Sequence, residues 1–135
     1  MYQRYLPLLV CSFALGAGFT AGRAGAEDLS GYDGPQLYKR LCSSCHGPGG
    51  AGDGPVAASL KSRLPDLTGI AARRRGEFPA EKVRQIIDGR ASVAAHGARD
   101  MPVWGAELRV AGADSDAALT RLVEYLRAIQ RPATP

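Results

Sequence analysis

The chain has 135 residues, which sets one domain as the default. Its 17 Lys and Arg exceed its 13 Asp and Glu by a small margin, too little to suggest nucleic acid as a partner. A domain of this size buries a small core that is marginal without further help.

In chain order, residues 1–26 stand apart. Arg4 precedes an uncharged, largely apolar stretch from Leu6 to Thr20, and Ala24-Gly25-Ala26 supplies small residues before Glu27-Asp28. A charged start, an apolar middle and an A-x-A end form a secretory signal, so export to the periplasm with cleavage after Ala26 is expected. An uncleaved membrane anchor is the alternative, but the run is shorter than the roughly 20 residues a spanning helix needs. A lipoprotein reading of Leu8-Leu9-Val10-Cys11 is weaker, because Val10 is bulky where a small residue belongs. Without Arg4 and Arg23, the 17 basic residues fall to 15 against 13 acids, so much of the positive charge belongs to the signal. The remaining chain divides into an N-terminal extension at 27–32, a domain at 33–131 and a tail at 132–135.

Strand signals are poor, and the chain reads as all-α with four or so short helices joined by long loops. Asp33 caps the first helix with Gln36 as capping-box partner, and Leu37, Tyr38 and Leu41 share one face. Gly47 to Gly54 is a loop by composition. A short helix is expected over Val56–Lys61, an extended turn at Pro65-Asp66-Leu67-Thr68 and a solvated bend at Arg73-Arg74-Arg75-Gly76. Pro79 suits a first helical turn, with Val83, Ile86 and Ile87 on the buried face and Gly89 as the stop. Residues 88–104 show little periodicity. Asp114 and Asp116 open the last helix, whose Leu119, Leu122, Leu126 and Ile129 form one stripe that Pro132 ends. Such long connections are unusual in a compact domain unless they wrap something that is not protein.

The first helix runs into Cys42-Ser43-Ser44-Cys45-His46. Cys42 and Cys45 are the only cysteines left once Cys11 departs with the signal, and an even pair in an exported chain is expected to be consumed. A dithiol redox pair wants a strand feeding the motif, and here a helix feeds it. A closed zinc site needs four ligands, and the chain beyond the signal offers two cysteines and two histidines, with His96 alone. The C-x-x-C-H spacing is instead the attachment pattern of c-type haem. Each thiol adds across one vinyl group, and the adjacent His46 then falls under the iron. One covalent haem c, held through Cys42 and Cys45, is therefore expected. The G-x-G-x-x-G match at Gly47–Gly52 follows a helix and contains Pro48, so it is read as backbone passing close to a flat porphyrin rather than a dinucleotide loop.

For the sixth iron position the candidates are Met101, His96 or nothing. Met101 lies in Asp100-Met101-Pro102-Val103-Trp104-Gly105, where Pro102 stiffens the presenting loop. A thioether opposite an imidazole raises the potential. Met101 is preferred, and His96 is read as a solvent-facing loop histidine. Leu41, Leu60, Leu64, Leu67, Ile86, Val103 and Trp104 are expected among the residues lining the pocket. Trp104 is read as packing rather than as an electron relay.

Taken together, Gly34 and Tyr38 before Cys42–Gly47, Gly52-Asp53-Gly54-Pro55, Pro65-Asp66-Leu67-Thr68, Met101-Pro102-Val103-Trp104-Gly105 and Leu122-Val123-Glu124-Tyr125-Leu126 resemble the class I c-type cytochromes of bacteria. The resemblance runs from about Asp33 to Ile129. It implies a small mono-haem all-α fold in which first and last helices cross, with Gly34 allowing close approach near Tyr125. It also implies that a proline-associated carbonyl, here at Pro65, holds the His46 ring. The expected task is periplasmic electron transfer, as a diffusing carrier or as the haem subunit of a larger oxidoreductase. Protein redox partners are expected, membrane contact only through a partner complex, and a monomeric or subunit state. The Arg73–Arg75 run is either a solvated cluster or a steering patch for an acidic partner. The alternatives are a haem enzyme or gas sensor with an open or His-ligated sixth site, and a thiol oxidoreductase.

Overall fold

The computed structural model describes residues 27–91 and 101–132, so residues 1–26 with the expected signal, His96 and the last three residues lie outside them. Among the described residues five α-helices form: α1 (Gly34–Leu41), α2 (Ser43–His46), α3 (Ala80–Ile87), α4 (Trp104–Val110) and α5 (Ser115–Ala128). Three single 3₁₀ turns, at Ala57–Ser59, Leu67–Gly69 and Ala72–Arg74, punctuate the loops. No strand occurs among the described residues.

The helix starts follow the expected chemistry. Asp33 accepts from the Gln36 backbone N–H at 2.8 Å, while the Gln36 side chain accepts from Asp33 N–H at 2.9 Å, closing a capping box on α1. Asp114 caps α5 by accepting from Asp116 and Ala117. Two expectations shift. The helix expected over Val56–Lys61 contracts to one 3₁₀ turn, and α4 occupies a stretch whose periodicity was too short to read. Its apolar signal is little more than Trp104 and Leu108 one turn apart.

Helix α5 is the hub, packed against α1, α3 and α4. Its Ala118, Leu119, Leu122, Val123 and Leu126 are buried, facing Leu37 and Tyr38 of α1, Val83 and Ile87 of α3 and Leu108 of α4. First and last helices meet backbone to backbone. A Cβ on Gly34 would lie 2.5 Å from the Arg121 carbonyl oxygen and 2.9 Å from Tyr125 Cβ. Only glycine permits that approach, as expected, and the Tyr38 and Tyr125 rings tilt against each other at 5.1 Å beside it. Residues 27–32 are more than an extension: Leu29 is buried, and its N–H donates to the Ala111 carbonyl at the end of α4.

Candidate functional site: one apolar cavity facing two thiols, an imidazole and a thioether

Helix α1 delivers the cysteine stretch. The Cys42 N–H still bonds the Tyr38 carbonyl, and α2 then turns the chain so that Cys42, Cys45 and His46 all border one cavity. The loop after it is tied to that stretch. Gly52 N–H donates to His46 O, Gly54 N–H to Cys45 O and Val56 N–H to Ser44 O, at 2.9, 3.2 and 3.0 Å. The Tyr38 hydroxyl, buried, donates to Gly47 O at 2.6 Å. A Cβ on Gly54 would sit 2.5 Å from the carbonyl oxygens of both Ser44 and Cys45. The glycine loop therefore lies close to the peptide backbone of the motif. Residues 47–54 are absent from the cavity wall, which corrects the expectation that they face a porphyrin.

The cavity holds about 370 Å³, within the range of about 300–1,000 Å³ typical of ligand sites. Met101, Pro102, Val103 and Trp104 form one wall, and Leu60, Leu64, Pro65 and Leu67 another. Ile86 of α3, Leu41 of α1 and Leu126 of α5 close it. All seven residues expected to line the pocket do so, and Met101 and Trp104 pack against the core behind it. Arg63, Arg73, Arg74 and Lys82 also border it, with no carboxylate lining it among the described residues.

The electrostatics separate the candidate chemistries. Burial, with a smaller contribution from Cys45, pushes the Cys42 thiol up to about 12. A thiol held protonated at neutral pH is a poor nucleophile in the folded chain. Among the described residues no cluster of three or more His, Cys, Asp or Glu forms, so the zinc reading finds no ligand set there. His46 is held below its ordinary value, chiefly by burial, with the Pro65 carbonyl opposing that shift. Its imidazole is thus neutral and able to coordinate a metal. Pro65 borders the same cavity as His46, but His46 Nδ1 is buried with no hydrogen-bond partner, so the hold of the Pro65 carbonyl on the ring that the resemblance implies is not present as a hydrogen bond. A buried orphan nitrogen is uncommon, and it fits a ring whose final placement is completed by a group in the cavity. The donor set, two thiols with an imidazole and a thioether around an apolar void, has the chemistry haem c requires.

Helical fold, cysteine stretch and cavity define a class I c-type cytochrome. Residues 31–126 match the family model described as cytochrome c oxidase, cbb3-type, subunit III, and the chain belongs to that family. No curated protein and no solved structure matches it. A domain of this class implies haem c with its iron and haem-based electron transfer as its general task.

Proposed function

We propose that the chain is a periplasmic electron carrier holding one haem c covalently through Cys42 and Cys45, with His46 and Met101 as the axial iron ligands. One observation carries this reading: the two thiols, the motif histidine and the only methionine outside the leader all border the same apolar cavity. When bound, haem supplies a one-electron couple. The chain's part is to hold geometry and exclude water. Leu41, Leu60, Leu64, Leu67, Ile86, Val103 and Trp104 supply an apolar wall that limits solvent reorganisation. Pro65 borders the cavity beside His46. Arg63, Arg73, Arg74 and Lys82 offer counter-charge to the two propionates.

The family's description names an oxidase subunit, which favours a haem subunit of a larger respiratory complex over a freely diffusing carrier. Among the described residues no helix is long and apolar enough to cross a membrane. The charged-apolar-small pattern of residues 1–26 supports export.

The test is direct. Exported protein should have the mass of the chain from Glu27 onward plus one haem and give a c-type haemochrome spectrum. Met101→Ala should then abolish the thioether-to-iron absorption band and lower the reduction potential. Protein at bare polypeptide mass sinks the haem reading. An unchanged band and potential in the variant sink the ligand assignment and favour an open-site haem protein.

A further inference from the structure

Helix α3 ends against the segment that carries Met101. Its last turn closes in the ordinary way: Asp88 N–H donates to Arg84 O at 2.9 Å and Gly89 N–H to Ile86 O at 3.2 Å. Gly89 then takes φ +79°, the left-handed turn that ends many helices. That turn presses two surfaces onto the Met101 segment. A Cβ on Gly89 would lie 2.7 and 2.8 Å from the two methyl carbons of Val103. A Cβ on Gly105 would overlap Asp88 Oδ1 outright and lie 3.0 Å from Asp88 Cγ. Close-packed atoms do not approach so near, so each contact is a seat that a larger residue would force apart.

The seat is built where it can control the loop. Val103 and Gly105 flank Trp104, the first residue of α4, and Val103 stands two positions after Met101. Pro102, the residue between them, has a fixed φ and limits the freedom of that link. Among the described residues no side chain caps the start of α4, so its placement rests on packing. Asp88 supplies part of that packing. Its side chain is 16% exposed and its Oδ2 pairs with Arg90, while Oδ1 is the atom against Gly105. Gly89, Met101, Pro102, Val103 and Trp104 all border the one cavity, so the seat lies in its wall.

We propose that Asp88, Gly89 and Gly105 are positioning residues for Met101: the end of α3 seats Val103 and the start of α4, and the stiff Met101-Pro102-Val103 link passes that placement to the thioether. This rests on the reading of Met101 as an iron ligand. A thioether is a soft, neutral donor, and a small base in solution competes with it for the sixth position. The competitor gains in proportion to the fraction of molecules whose methionine is away from that position. Loosening the seat therefore shows as easier displacement of Met101, with the attachments at Cys42 and Cys45 untouched.

The experiment uses the exported chain with haem attached, as wild type, Gly105→Ala, Asp88→Ala and the double variant. Free imidazole is titrated into oxidised protein, and loss of the thioether-to-iron band gives its apparent affinity. Gly105→Ala forces the seat apart, and that affinity should rise roughly tenfold. Asp88→Ala opens the seat more gently and should raise it roughly threefold. In the double variant the clashing carboxylate is gone, and the Asp88 Cα lies 3.5 Å from the new Cβ, an ordinary contact. Its affinity should fall back to that of Asp88→Ala, a non-additivity that two unconnected substitutions would not give. Haem content should stay at the wild-type level throughout. A lowered melting temperature with imidazole affinity unchanged in the single variants overturns the proposal, and so do additive effects in the double variant. If Gly105→Ala does not accumulate, Asp88→Ala decides alone by the same titration. Wild-type protein that has haem but lacks the thioether band would sink the reading of Met101 as a ligand instead, a result visible before any variant is measured.

Discussion

Gly54→Ala tests whether the glycine loop is a backbone lid on the cysteine stretch. The added Cβ would lie 2.5 Å from two carbonyl oxygens, of Ser44 and Cys45, against an ordinary contact of 3.4 Å or more. Loop and motif must separate by about 0.9 Å. The bonds Gly54 N–H to Cys45 O and Val56 N–H to Ser44 O, already 3.2 and 3.0 Å, then open. Each contributes about 1 kcal/mol, and forced overpacking adds about 1–3 kcal/mol. Against this, alanine restricts the unfolded chain and returns about 0.4–1 kcal/mol. The net loss is about 3 kcal/mol, or about 12–24 °C in melting temperature for a domain of this size. Gly49→Ala in the same loop is the internal control, since a Cβ there meets nothing within 4 Å and its φ is not positive. It should change stability by no more than about 1 kcal/mol, in the stabilising direction. Thermal unfolding followed by far-UV circular dichroism, on haem-loaded protein, compares the two. If both variants melt within about 2 °C of each other, the lid is not where the structure puts it.

Tyr38→Phe removes the buried hydroxyl bond to Gly47 O, but that carbonyl keeps its bond from Gly50 N–H. Chemical denaturation should therefore show a loss of about 1 kcal/mol rather than the full penalty of an orphaned carbonyl. Asp66 is held below the ordinary carboxylate value, first by the Thr68 hydroxyl, with its backbone N–H, Arg131 and Arg73 adding to the effect. A depressed folded-state value gives stability that is present above the unfolded value and lost as pH falls through the folded one. Wild type should thus lose stability on acidification through and below the ordinary carboxylate range more steeply than Asp66→Asn, as read by melting temperature against pH. Equal slopes would remove Asp66 from the account of the turn.

Much of the site was legible because its chemistry is local. Five consecutive residues, Cys42 to His46, carry three of the four candidate haem contacts, and the long loops put apolar side chains around them. The capping of α1 by Asp33 and of α5 by Asp114 was equally local. What could not be read was non-local or weakly periodic. Helix α4 has seven residues and shows only one apolar pair to a periodicity search. Leu29 enters the core through a backbone bond to Ala111, far along the chain. The close packing of Gly54 on the motif is a property of two backbones, while composition shows only a flexible loop. Gln130 and Arg131 were overlooked for the same reason: polar residues past a helix end look like solvated tail until their partners, some sixty positions earlier, are placed beside them.

The hub position of α5 also fixes the order in which this molecule can be completed. α1, α3 and α4 all rest on a helix that is synthesised after them, and Leu126 supplies part of the cavity wall from that last element. Until it arrives, Leu37, Val83 and Leu108 have no common surface to cover, and Cys42 and Cys45 stand in an unfinished, open half-shell. On the proposed reading, a group joined to Cys42 and Cys45 has its widest access before the final helix docks, and docking of that helix shuts the door behind it.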